Sequence, residues 1–181
     1  VEVTRKQVSL KQVVHYGVYG DSTGYIYLEG FKERSADEVR EALEDLKQNH
    51  HIKSLVLDLR DNGGGLLSSA VQIVNLFVPK GREVLSTRGK MKLWDRTYRT
   101  TLDPVDSVIP LAVLINGNSA SASEIVSGAL QDMDRAVLIG NRSFGKGLVQ
   151  TPRDLPYEGQ IKITTSKYYI PSGRCIQQLG Y

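Results

Sequence analysis

Apolar and polar positions along this chain follow two rhythms. From Val13 to Tyr19, and again from Tyr25 to Leu28, they alternate with the two-residue period of half-buried strands, around a turn at Gly20-Asp21-Ser22-Thr23-Gly24. From Ser35 to Gln48 the period lengthens, and Val39, Leu43 and Leu46 share one face of a helix that Ser35 is placed to cap. Ser54–Leu59 is almost continuously apolar, as a parallel strand buried on both faces should be. A second helix is expected over Leu66–Phe77, stopped by Pro79-Lys80-Gly81. Glu83–Ser86, Leu111–Ile115 and Ala136–Ile139 predict further strands, with a helix opening at Ser121 between the last two. Leu148 to Pro152 reads as extended, and Ile161–Thr165 and Lys167–Ile170 precede a turn at Pro171-Ser172-Gly173. Strands and helices that alternate in this way predict an α/β domain of parallel β/α units.

Composition narrows the picture. With 40% hydrophobic and 24% charged residues, the 181-residue chain can bury a core, as one compact domain or one domain plus an arm. Net charge is +3, and the basic residues are scattered apart from Arg82, Arg88, Lys90, Lys92, Arg96 and Arg99. Trp94 and Tyr98 lie among them, a mixture that nucleic-acid surfaces use. Glu83, Asp95 and Asp103 interrupt it and no base-reading motif accompanies it, so a solvated or substrate-contacting hairpin is expected and no nucleic-acid partner. Cys175 is alone, which excludes an intrachain disulfide. No signal peptide or membrane-spanning run is visible, and no His/Cys/Asp cluster suggests a metal or other cofactor.

The chemistry concentrates between Asn118 and Gln150. Ser121-Ala122-Ser123-Glu124 opens an apolar helix, and Gly145-Lys146-Gly147 follows the next strand. A serine hydroxyl attacks well only when a base takes its proton, and a lysine serves only if burial lowers its pKa. Flanking glycines let the backbone pass close and aim Lys146 into a pocket. A Ser–Lys hydrolase is therefore one reading. The other is structural: Ser121-x-x-Glu124 is also a capping box, and Ser35-Ala36-Asp37-Glu38 repeats that pattern before a plainly structural helix. A phosphate loop is excluded, although Gly140-x-x-x-x-Gly145-Lys146 follows a strand. Gly147 replaces the metal-binding hydroxyl, and an extended segment stands where a helix should begin. A Ser-His-Asp triad could still assemble in three dimensions, but nothing local supports one, and lysine is the better base. His50 and His51 suit the end of the first helix, and His15 sits in a strand as a half-exposed residue.

Ordered motifs then extend the pattern: Asp58-Leu59-Arg60-Asp61-Asn62-Gly63-Gly64-Gly65, Asn118-x-Ala120-Ser121-Ala122-Ser123-Glu124, Gly128-Ala129-Leu130-Gln131-Asp132, Phe144-Gly145-Lys146-Gly147-x-Val149-Gln150 and Thr165-Ser166-Lys167-Tyr168-Tyr169-x-Pro171-Ser172-Gly173-Arg174. From about Val13 onward the chain closely resembles the C-terminal processing peptidases, or tail-specific proteases. The resemblance implies a spiral of β/α units like that of crotonase and the Clp protease, with Ser121 as nucleophile, Lys146 as general base and Gln150 orienting the lysine amine. Gln150 lies four residues after Lys146 in an expected strand, so both should face one side. Ala122 N–H and a glycine N–H of the Asn62–Gly65 turn, Gly64 by preference, would form the oxyanion hole. Ser119 is expected as an N-cap and Ser123 as a first-turn filler, while Glu124 caps and tunes the site. Asp132 is either a supporting residue in the same scheme or a solvated or salt-bridged helix end, and Arg60 and Asp61 pair or brace the turn. Substrates would be unstructured protein or peptide C-termini, with a peptide-binding PDZ domain elsewhere in the full-length protein and an exported, periplasmic location. Residues 1–12 then read as an arm leaving that domain and 13–181 as the catalytic core, itself shortened at its C-terminal end. The contrasting expectation is a non-catalytic module that holds a peptide or apolar ligand on the same fold.

Overall fold

The computed structural model describes residues 10–177. In chain order it contains β1 (Val13–Tyr19), β2 (Thr23–Leu28), α1 (Ser35–Gln48), β3 (Ser54–Asp58), α2 (Leu67–Asn75), β4 (Glu83–Gly89) and β5 (Arg96–Arg99). There follow β6 (Leu111–Ile115), α3 (Ala122–Asp132), β7 (Val137–Gly140), β8 (Leu148–Asp154) and β9 (Gln160–Tyr169). The arm expected over 1–12 falls mostly outside the described residues.

The strands form two sheets. One has the order β1-β2-β3-β6-β7; its last four strands run parallel, and β1 closes an edge as the antiparallel arm of a hairpin. The second, β5-β4-β9-β8, is antiparallel throughout. Parallel β/α units therefore account for the first sheet only. Its helices carry the apolar stripes the sequence predicts: Val39, Leu43 and Leu46 of α1 are fully buried, as are Ile73 and Val74 of α2 and Val126, Ala129 and Leu130 of α3. Burying each Leu or Ile side chain contributes about 1.5–3 kcal/mol. α2 packs on both α1 and α3, which sets the N-terminus of α3 against the loop that follows β3.

Several expectations change in detail. Ser35 is the first residue of α1 and not its cap: its hydroxyl accepts Lys32 N–H and donates to Gly30 O. Glu38, the acid of that apparent capping box, accepts Gln12 N–H at 2.6 Å and Val13 N–H at 2.9 Å, pinning the start of β1. β1 does not show clean alternation, because as an edge strand it exposes both faces, and His15 is exposed beside Tyr19 and Tyr25. The two strands expected near the C-terminus are one continuous β9. The basic segment forms the β4–β5 hairpin, closed by a short 3-10 turn at Lys92–Trp94. Among the described residues no helix is long and apolar enough to cross a membrane.

Candidate functional site

Ser121 stands at the N-cap of α3 with φ 56° and ψ −112°, a conformation that suits glycine far better than serine. Non-glycine residues held in such regions cost about 1–3 kcal/mol and persist only where their surroundings enforce them. Those surroundings are identifiable. Ser121 N–H donates to Glu124 Oε2 at 2.9 Å, the capping interaction the sequence suggests. Ala120 N–H donates to Asn62 O at 3.1 Å, so the residue before the serine is tied to the glycine turn.

That turn is built by Asn62, which is fully buried. Its amide donates to Leu28 O and its Oδ1 accepts Gly64 N–H at 2.9 Å. Gly64 has φ +98°, and a Cβ placed on it would lie 2.6 Å from Ala120 O and 2.9 Å from Ala122 N. Only glycine lets the turn approach the helix start so closely. Its N–H, the expected second oxyanion donor, is engaged by Asn62 in this conformation, and Gly65 is the turn glycine that lines the cleft. Ala122 N–H is the first amide of α3, where backbone donors have no partner within the helix and the dipole favours negative charge.

The neighbouring serines do different work from that expected. Ser119 is not the cap of α3; its hydroxyl accepts Asn116 N–H and donates to Leu59 O at 2.7 Å. Ser123 is more than a filler, since it donates to Asn62 O at 2.8 Å and joins the helix to the glycine turn. Arg60 pairs with buried Asp58 through Nε and Nη2, while Asp61 accepts from the Asn116 and Asn118 side chains. Arg60 and Asp61 thus brace the turn without pairing with each other. Asp132, at the far end of α3, accepts Ser172 N–H at 2.9 Å and holds the turn after β9.

Glu124 is fully buried, and four donors surround its carboxylate. Oε2 accepts Ser121 N–H and Lys146 N–H, at 2.9 and 2.8 Å; Oε1 accepts Ser143 Oγ and Gly145 N–H, at 2.6 and 2.7 Å. Four hydrogen bonds compensate a burial that would otherwise be costly. The loop carrying Lys146 is thereby fastened to the helix carrying Ser121. Gly145 (φ +88°) and Gly147, whose added Cβ would meet Gln177 N at 2.7 Å, give that loop its path.

Ser121, Ala122, Lys146 and Gln150 line one cleft of about 290 Å³, with Gly65 and Tyr168. Lys146 is half-buried there and Gln150 exposed. Lys146 precedes β8, and a register shift between Val149 and Gln150 interrupts the alternation expected to align the two side chains. The Gln150 amide reaches Thr164 Oγ1 at 3.5 Å. In the sequence Tyr168 stands out only as part of a motif, and Ser143 carries no signal. A buried phenol needs a polar partner, and that rule was the available signal for Tyr168.

Fold and site together define an α/β protein in which a serine with strained backbone at a helix N-terminus lines one cleft with a lysine. The chain belongs to peptidase family S41, whose family model matches residues 22–181. It is 43% identical over 183 residues to the carboxy-terminal-processing protease of Bartonella bacilliformis, covering 99% of this chain and 42% of that protein. Among solved structures it resembles the photosystem II D1 C-terminal processing protease, with a TM-score of 0.78 and 34% identity over 88% of this chain and 40% of the other. A putative S41 protease from Bacteroides fragilis NCTC 9343 shares the fold at 22% identity, with a TM-score of 0.76 over 93% of this chain and 49% of its own. The chain thus spans less than half the length of these relatives. The α/β spiral that the resemblance implied is the fold of these S41 neighbours.

Proposed function

We propose that this chain is the catalytic core of a serine endopeptidase that trims proteins near their C-termini. The observation that carries the reading is Ser121, strained at a helix N-terminus, sharing one cleft with Lys146. Lys146, as the neutral amine, takes the hydroxyl proton while Ser121 Oγ attacks a peptide carbonyl. The developing oxyanion rests on Ala122 N–H and on a glycine amide of the 63–65 turn; Gly64 serves once its N–H exchanges Asn62 for substrate. Lys146 then protonates the departing amine, and water, deprotonated by the same lysine, releases the acyl group. Gln150 steadies the amine from the rim of the cleft. Asp132 supports from a distance by holding the turn after β9.

The named relatives process carboxyl termini, which supports unstructured protein tails as substrates. The resemblance further supports a PDZ domain in the full-length protein and an exported, periplasmic setting. The test is a peptidase assay on a protein with an unstructured C-terminal tail, paired with Ser121→Ala and Lys146→Ala. Both variants should fold and lose turnover, and a reactive phosphonate should label Ser121. Turnover retained by either variant, or label on another residue, overturns the reading.

A further inference from the structure

The main chains of Ser121 and Lys146 are gripped at both polarities. Their two N–H groups end on one atom, Glu124 Oε2. Their two carbonyl oxygens face one hydroxyl, that of Tyr168, which lies 3.2 Å from Ser121 O and donates to Lys146 O. Tyr168 is 2% exposed, sits on β9, and donates its own N–H to Gly147 O at 3.0 Å. Its ring is thus anchored by backbone to the loop whose carbonyl its hydroxyl holds. Glu124 fixes the amide side of both residues and Tyr168 the carbonyl side. A residue held on both sides of its Cα has the direction of its Cα–Cβ bond fixed, and both side chains start from those fixed bonds to line the cleft.

We propose that Tyr168 is a positioning residue, whose hydroxyl sets the distance and angle between Ser121 and Lys146 through their carbonyl groups. This rests on the Ser–Lys reading above. A buried tyrosine must satisfy its hydroxyl somewhere; here it does so on the two residues whose alignment the reaction requires. Proton transfer and attack demand near-contact geometry, and a small misplacement is expensive in rate though cheap in stability. The phenol belongs to the second sheet and Ser121 to α3, the helix that connects β6 and β7 of the first. Tyr168 is therefore also where the antiparallel sheet is registered against the nucleophile.

Tyr168→Phe, in the full-length protein, keeps the ring and deletes only the hydroxyl. The expected result is a kcat lowered about tenfold to a hundredfold with KM within about threefold, as for lost alignment without lost binding. Phosphonate labelling of Ser121 should slow in proportion. Val39→Ala, a core truncation in α1 outside the cleft, controls for stability and should leave kcat near the parent value. If Tyr168→Phe proves too unstable for turnover assays, the labelling rate per folded molecule supplies the same comparison. Parent-like kcat and labelling in Tyr168→Phe, or an equal loss in Val39→Ala, overturn the proposal while the Ser–Lys reading stands. Should Ser121→Ala or Lys146→Ala keep turnover, both fall together.

Discussion

Ser121 N–H and Lys146 N–H end on the same atom, Glu124 Oε2, at 2.9 and 2.8 Å. A single buried carboxylate thus joins the helix that presents the serine to the loop that presents the lysine. Glu124→Gln keeps the shape but sets an NH2 group against donors that need an acceptor. We expect it to cost about 2–5 kcal/mol of stability, the range for buried donors left unsatisfied in a charged network. Turnover should fall about a hundredfold or more, because the proposed nucleophile and base lose their common tether. Denaturant titration and steady-state kinetics on the same preparation check both. A variant that matched the parent in both would reduce Glu124 to an ordinary helix cap.

Ser121 itself predicts a conflict between stability and activity. Its backbone, φ 56° and ψ −112°, suits glycine and penalises any side chain. Ser121→Gly should therefore raise stability by about 1 kcal/mol while abolishing turnover, whereas Ser121→Ala abolishes turnover without that gain. Thermal melts of the three proteins decide it. A Gly variant no more stable than the Ala variant would show that the conformation is not strained.

Much of this was readable beforehand, for reasons that particular residues make clear. Val39, Leu43 and Leu46 repeat at helical spacing because one face of α1 is buried, whereas Ser54–Asp58, whose apolar run suggests burial on both faces, buries Leu55 and Leu57 and leaves Ser54 and Val56 only half-buried on the other face of the sheet. The antiparallel sheet was not readable. β9 buries little beyond Ser166 and Tyr168, so its pattern carries no face, and alternation never names a partner strand. Ser121 and Lys146 were visible through the glycines and small residues around them. The roles of their supports were not. Ser35–Glu38 and Ser121–Glu124 look alike in sequence, yet Glu38 pins Gln12 and Val13 while Glu124 pins Gly145 and Lys146. A carboxylate that accepts main-chain N–H groups from a distant segment leaves no local signature, and neither does a tyrosine whose acceptors are carbonyls.

Gly64 and Gly63 are adjacent and should respond oppositely to alanine. Gly64→Ala would place a methyl 2.6 Å from Ala120 O at φ +98°, forcing the turn away from Ser121. A loss of about 2 kcal/mol or more is expected, with a large fall in turnover, since strain and collision add. Gly63 has no atom within 4 Å of the added carbon, so Gly63→Ala should cost within about 0.5 kcal/mol. Comparable melting temperatures for the two variants would mean that the turn is not packed against the helix as described.

Acid stability should trace to Asp58. Burial pushes its pKa up, but the Arg60 guanidinium, Tyr25 hydroxyl and Arg60 N–H bonded to its oxygens outweigh that, and the net shift is downward. The folded state therefore holds the proton less tightly than the unfolded chain does. The stabilisation is complete above the ordinary carboxylate range and disappears as pH falls through the lowered folded value. Arg60 is half exposed, so screening discounts the charge pair, and the hydrogen bonds carry most of the effect. Asp58→Asn should cost about 2 kcal/mol near neutrality, with the gap to the parent closing as pH falls through the lowered Asp58 value. At the alkaline end, burial first and then the bond to Asp58 hold the Tyr25 hydroxyl up at about 12. A phenol stabilised in its neutral form adds stability in full below its ordinary pKa and loses it as pH rises from there through the raised folded value. In Asp58→Asn, Tyr25 should ionise at lower pH, which ultraviolet titration against Tyr25→Phe would isolate. An acid limb as steep in Asp58→Asn as in the parent would assign the pH sensitivity to some other carboxylate, with Asp106, lowered by Lys47 against its own burial, next to be tested.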